Sequence, residues 1–351
     1  MAVSGYSLLK GKAVDAIQGS GSSPHYQVLV IDDTAKYRIA VNVQSADKSE
    51  VFYLVKSNFV HPICDGLLAA QRGLTGVAFK PGGVALDFIR GNLFNPGDMR
   101  QLPISATGPD NDLNEKIGQY VQRAMSDENS EIYALGATWG PETKQDQYFH
   151  FAPGRGIHDI HMNQGNPPGP FEGDNGPWQD GGLFFHFPDE KQWVAMFMCF
   201  KTQGWHTDDS TGNVLPGTGG GPPSDSAPAP SPGPPSPNNP PTVDRPDGQV
   251  RIAAAYVNDT VTPEHETVTL VNTTHQPVDL TGWKLLDKLK AATPLGGVLA
   301  SGEAVRVAVK APMTLSNKGG IISVINANGL KVDGVSYTKE QASQPGRTLV
   351  F

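Results

Sequence analysis

Apolar residues recur at every second position in several short runs of this chain, and at helical spacing in one long run. Tyr26 to Ile31 and Tyr37 to Val43 alternate apolar and other residues, with a turn at Asp32-Asp33 between them. That pattern predicts a β-hairpin, and Val51 to Val55 predicts a third strand, giving a small antiparallel sheet or barrel. Between Asp110 and Met125, Leu113, Ile117, Tyr120, Val121 and Ala124 repeat at helical spacing. This predicts an amphipathic helix capped by Asp110 or Asp112. Strands return at 131–135, 182–187 and 193–200. The last is apolar at both parities, as a strand covered on both faces would be. Beyond residue 248 the chain is almost entirely short alternating runs, at 268–271, 283–286, 304–309 and 321–325, with turn signals such as Asn328-Gly329. Such spacing predicts a β-sandwich of about 100 residues. The fold expected is mainly β. A β-rich N-terminal domain with one or two helices is joined by a Pro-rich linker to a C-terminal immunoglobulin-like β-sandwich.

Composition sharpens the division. Residues 216–246 hold 12 of the 30 prolines and almost no apolar side chain. A segment so composed buries too little surface to offset chain entropy, so 216–247 is expected to be a disordered spacer between domains 1–215 and 248–351. The net charge of −8 resides in the first domain, where 16 Lys and Arg face 24 Asp and Glu; residues 247–351 carry 10 against 9. An acidic first domain lacks the clustered cations that displace counterions from nucleic acid, so no strong basic nucleic-acid surface is expected. Two cysteines, Cys64 and Cys199, make neither a disulfide framework nor a thiolate zinc site, and both read as small buried hydrophobes. No apolar run reaches the ~18 residues that a transmembrane helix needs. The first residues have no signal-peptide pattern, so the cytoplasm is the default expectation, with export by a route lacking a cleaved signal left open.

Five of nine histidines lie between His150 and His206. In Gly156-Ile157-His158-Asp159-Ile160-His161-Met162-Asn163, the glycines and the Pro167-Pro168 that follows favour a strand over a helix. Alternation then puts His158 on one face and Asp159, His161 and Asn163 on the other. Carboxylate, imidazole and amide together suit a divalent cation, Mg²⁺, Mn²⁺ or Zn²⁺. Without a metal, Asp159 and His161 form a pair for acid–base work, or simply hydrogen-bond the loop backbone. His186, on a strand face opposite Leu183, Phe185 and Phe187, and His206, at a strand end beside Asp208 and Asp209, are further metal candidates. His186 reads equally as a core histidine, and the His206 segment as a solvated turn. Gln164, Asn166, Asp180 and Gln203 complete a set of candidate ligand-binding residues with Asn163. Phosphate-loop, nucleophile-elbow, H-E-x-x-H and C-x-x-C motifs are absent from the sequence.

Two resemblances follow from longer motifs. Leu9-Lys10-Gly11-Lys12, Ser23-Pro24-His25-Tyr26-Gln27, Tyr37 to Val43, Gly156 to Asn166 and Gln179-Asp180-Gly181-Gly182 resemble the YukJ-like family of bacterial proteins, over nearly all of residues 1–215. That resemblance implies membership and brings no assigned activity. Val271-Asn272-Thr273, Val278 to Trp283, Gly302-Glu303-Ala304, Leu315 to Gly320 and Asp333 to Tyr337 resemble a bacterial lamin-tail domain. The resemblance implies an immunoglobulin-like sandwich that acts as an accessory or targeting module and docks a protein or surface partner. Leu280 and Trp283 are the expected core anchors, and Gly282 and Gly319-Gly320 the turns.

Two functions are consistent with these residues. In the first, domain one is a metal-dependent hydrolase, most plausibly of phosphodiesters and so a phosphodiesterase or nuclease. Asp159, His161, His186 and His206 would hold the ion, and His158, His161 or Asp208 would transfer protons. It requires the three His/Asp clusters to converge in space. In the second, the chain is a non-enzymatic adaptor whose first domain recognises a small ligand, a carbohydrate or a protein.

Overall fold

The computed structural model describes residues 6–18, 25–45, 51–76, 93–94, 98–106, 111–159, 181–200, 248–327, 329 and 331–351. The expected spacer at 216–247 lies outside them. The chain forms two units, and each is described by itself.

The first unit runs β1 (Tyr6–Ile17), β2 (His25–Ile31), β3 (Lys36–Asn42), β4 (Val51–Lys56), α1 (Ile63–Ala69), β5 (Gly73–Gly76), β6 (Arg100–Gln101), α2 (Asp112–Ser126), β7 (Glu131–Glu142), β8 (Gly154–Asp159), β9 (Gly181–Phe187) and β10 (Gln192–Phe200). Strands β1, β2, β3, β8 and β7 close a circuit, because β7 pairs back onto β1. Four of its joins are antiparallel and one, β3 with β8, is parallel. The expected hairpin is therefore two strands of a closed five-stranded barrel. Strands β9, β10 and β4 extend the sheet from β7. β10 lies between β9 and β4 and is fully buried from Val194 to Met198, as its double apolar parity predicts.

Alternation settles which side is core. Tyr26, Val28 and Val30 of β2, Tyr37, Ile39 and Val41 of β3, and Ile157 of β8 pack in one cluster with Leu113, Ile117, Val121 and Ala124 of α2. Each fully buried aliphatic side chain there contributes roughly 1.5–3 kcal/mol. The helix begins one residue away from either expected cap. Asn111 accepts the Asn114 N–H at 2.8 Å and donates to the Val43 carbonyl at 2.6 Å, tying the helix start to the end of β3. Asp112 instead lies in the first turn and accepts the Tyr53 hydroxyl. At the other end, the Lys12 ammonium donates to the carbonyls of Ala124 and Asp127 and to Ser130 Oγ. Burial holds this amine below its ordinary value, with Asp127 opposing the shift. Cations at a helix C-terminus satisfy its orphan carbonyls.

The second unit contains β11 (Val250–Tyr256), β12 (Thr267–Asn272), β13 (Val278–Asp279), β14 (Lys284–Leu286), β15 (Ala292–Pro294), β16 (Val298–Leu299), β17 (Ala304–Ala308), β18 (Gly320–Ile325), β19 (Lys331–Tyr337), α3 (Lys339–Ala342) and β20 (Thr348–Val350). Two four-stranded sheets, β17-β12-β11-β20 and β15-β14-β18-β19, supply the sandwich. Leu280 and Trp283 are buried in its core, and Gly282 and Gly319 take positive φ angles of 81° and 90°.

Glu266, half-buried beside this core, is an unusual group. Its carboxylate accepts the Leu315 N–H at 2.8 Å, yet burial, with added repulsion from Glu264 and Asp287, pushes its pKa up from 4.5 to about 7. The folded domain therefore holds a proton that the unfolded chain releases. Its contribution to stability is complete below pH ~4.5 and is lost as pH rises toward ~7. After allowance for solvent screening of a half-buried group, this is worth about 2 kcal/mol. Glu266→Gln should thus match the wild type in urea unfolding near pH 4.5 and exceed it by about 2 kcal/mol at pH 8. Equal stability of the two proteins at both pH values would remove this role.

Candidate functional site

The barrel face opposite the α2 core is polar where β2, β3, β8 and β7 meet. Gln27 and Arg38 project there because their neighbours Val28 and Ile39 face the core. Arg38 Nε donates to Asp146 Oδ2 at 2.6 Å and its Nη1 donates to Gln27 Oε1 at 2.7 Å. Arg38 and Asp146 are 5% and 3% exposed, so the pair is dry. Trp139 and Tyr148 flank the guanidinium, 4.6 and 4.9 Å from their ring centroids. Asp146 also accepts the N–H groups of Tyr148 and Phe149, while its own N–H donates to the Phe151 carbonyl. The β7–β8 loop is thereby folded onto the sheet. It carries His150 in the left-handed region, at φ 54°. The Trp139 indole nitrogen is buried without a hydrogen-bond partner among the described residues.

At the rim of this face two imidazoles meet. His25, at the start of β2, and His158, in β8, have ring centroids 4.8 Å apart with planes inclined at 52°. The intervening strand presents Ala40 and Asn42 on the same side. His158 is the extra residue of a β-bulge: Ala137 pairs with Asp159 and Thr138 with Ile157, leaving His158 unmatched. Bulges re-aim side chains and break simple alternation. His158 is out of regular register, and residues 160–163, on which the two-face reading of this segment turns, lie outside the described residues.

The other candidates fall in three groups. Asp159 ends β8, and its backbone is described while its side chain is not. His161, Asn163, Gln164, Asn166, Asp180, Gln203, His206 and Asp208 lie outside the described residues. His186 is on β9, opposite Glu131 of β7, whereas Asp159 is opposite Ala137. Six residues at about 3.3 Å each separate those positions, so the two lie about 20 Å apart along β7. His186 and Asp159 therefore do not converge on one ion, and the four-residue metal set of the sequence reading does not come together. The His186 ring instead stacks on Trp193 at 4.4 Å. Desolvation lowers its pKa and so favours the neutral imidazole, with Glu131 opposing that shift and Lys10 adding to it. Among the described residues, no group of three or more His, Cys, Asp or Glu side chains is placed to hold a metal. No helix among them is long and apolar enough to cross a membrane. Cys64 is buried, and burial pushes its thiol up to about 12, so it is an inert core residue as expected.

Sequence reasoning missed His25. Its signals were its place at the head of an alternating run and within a motif of the family resemblance, neither of which marks it as a site residue, and its partner is 133 positions away.

The barrel and its sequence define a family. Residues 1–212 match the model of the uncharacterized conserved proteins DUF2278, and residues 244–339 match the Lamin Tail Domain. The chain belongs to the DUF2278 family and carries a lamin-tail sandwich behind that domain. A relative from Bacillus subtilis (strain 168), named as the uncharacterized protein YukJ, is 42% identical over 214 residues, which cover 60% of this chain and 94% of the relative.

Proposed function

We propose that this protein is a two-module binding adaptor. The barrel would recognise a small neutral ligand, of which carbohydrate is the leading class, at the rim of β2, β3 and β8 where His25, Asn42 and His158 are half-exposed. The lamin-tail sandwich would dock a protein partner. The observation carrying this reading is the closed five-stranded circuit with half-exposed polar side chains, His25, Asn42 and His158, at the rim of β2, β3 and β8. Small barrels of the oligonucleotide- and oligosaccharide-binding kind use the face of their second and third strands and its flanking loops. A polyanion is disfavoured here, because Arg38 is buried and neutralised by Asp146.

The test is thermal unfolding of the full chain with cello-, xylo- and chitotetraose, and with single-stranded dT and rU oligomers. At a hundredfold excess over Kd, a bound saccharide should stabilise the first domain by about 2.7 kcal/mol. The oligonucleotides should do nothing at 0.15 M salt. Stabilisation by the oligonucleotides, or by none of the saccharides, refutes the reading.

A second reading, metal-dependent phosphodiester hydrolysis, is favoured by one observation: Asp159 directly follows a histidine that the bulge brings beside another. Turnover of a generic phosphodiester with Mg²⁺, Mn²⁺ or Zn²⁺, abolished in Asp159→Asn, is its expected result. Inactivity with every ion removes it.

A further inference from the structure

We infer that His25 and His158 form a two-imidazole site for a borderline divalent cation of the Zn²⁺, Co²⁺ or Ni²⁺ class. This site is independent of the adaptor reading and needs no catalysis. The first argument is metric. With metal–nitrogen bonds of about 2.0–2.1 Å, an imidazole centroid lies about 3.2 Å from the ion; two rings on one ion at 90–109° then have centroids about 4.5–5.2 Å apart. The observed 4.8 Å falls inside that interval.

The second argument concerns how the pair is held. Both rings come from strands of one closed barrel, and the bulge at His158 departs from regular pairing to place that ring where it meets His25. Rigid strands position ligands more accurately than loops do. On the strand between them Ala40 is wholly buried and small, which leaves room for the rings to approach above it. The third argument is electrostatic. The nearby guanidinium of Arg38 is compensated by Asp146, and the domain carries a net negative charge, so a cation is not repelled there. Imidazole selects Zn²⁺, Co²⁺, Ni²⁺ and Cu²⁺ over Mg²⁺ and Ca²⁺, which require oxygen ligands.

Co²⁺ titration of the full chain, followed by its visible d–d absorption, tests the site directly, with Zn²⁺ competition as a second readout. One equivalent should saturate the spectrum and be displaced by Zn²⁺ but not by Mg²⁺. His25→Asn and His158→Gln should each weaken binding tenfold or more, while His186→Gln leaves it unchanged; thermal unfolding confirms that the variants fold. No saturable one-equivalent spectrum overturns the site. So does undiminished binding in either rim variant, or loss in His186→Gln. Metal binding without phosphodiester turnover would remove the hydrolase reading and leave this site standing.

Discussion

Arg38→Ala is expected to destabilise the first domain by about 3–5 kcal/mol, the usual cost of removing one member of a dry ion pair. Asp146 would be left as an uncompensated carboxylate at 3% exposure, and Gln27 would lose its donor. Trp139 and Tyr148 would lose the planar cation between them. For a domain of about 200 residues this corresponds to a fall in Tm of roughly 6–20 °C. Arg38→Lys should recover only part of the loss, because an ammonium can neither reach both oxygen partners in one plane nor stack between two rings. Asp146→Ala should be comparably costly, since the same carboxylate also holds the Tyr148 and Phe149 amides. A double-mutant cycle in urea separates the pair from its surroundings. Coupling below about 0.5 kcal/mol would mean that the loop is held by its own turn and not by this clamp.

The second large effect is expected at Gly156. It lies opposite Arg38 in the parallel join that closes the barrel. A Cβ there would stand 1.8 Å from the Arg38 carbonyl oxygen and 2.8 Å from its carbonyl carbon. Backbone cannot yield as a flexible side chain would, so β3 and β8 must separate at the seam. Gly156→Ala should cost about 3 kcal/mol or more. Gly154→Ala, two residues away, is the informative control. Its nearest obstacles are ring atoms of Trp139 at 3.3 Å, which can shift, and its cost should stay near 1 kcal/mol. Equal effects at the two positions would show that the parallel join does not depend on close backbone approach.

These two residues also mark what the sequence conveys and what it hides. Helix α2 is legible because its stripe is local: Leu113, Ile117, Val121 and Ala124 repeat within a single element. The sandwich is legible for the same reason. Barrel closure is not, because it depends on β1, whose run Tyr6 to Ile17 is interrupted by Lys10, Gly11 and Lys12 and reads as polar. Those lysines are tolerated because each is answered by distant groups, Lys10 by the carbonyls of Leu68 and Ala70 and Lys12 by the end of α2. The candidate site was half legible. The His158-Asp159 segment reads as a strand, and is one, but a bulge is a property of two strands and cannot be seen in one. His25 and His186 make the complementary point. Proximity in sequence groups His186 with His158, whereas the register of β7 separates them, and the pairing of β2 with β3 and of β3 with β8 brings in His25 instead.

We propose that the first domain works at the rim where His25 and His158 meet, and not at the opposite end of β7 where His186 stacks on Trp193. Amide chemical-shift mapping of the full chain, on addition of Zn²⁺ and then of the tetrasaccharide that stabilises it best, tests this most directly. Shifts concentrated in residues 25–27, 38–42 and 156–159 are the expected result. Shifts concentrated at 184–195, or spread without focus over the barrel, would contradict it.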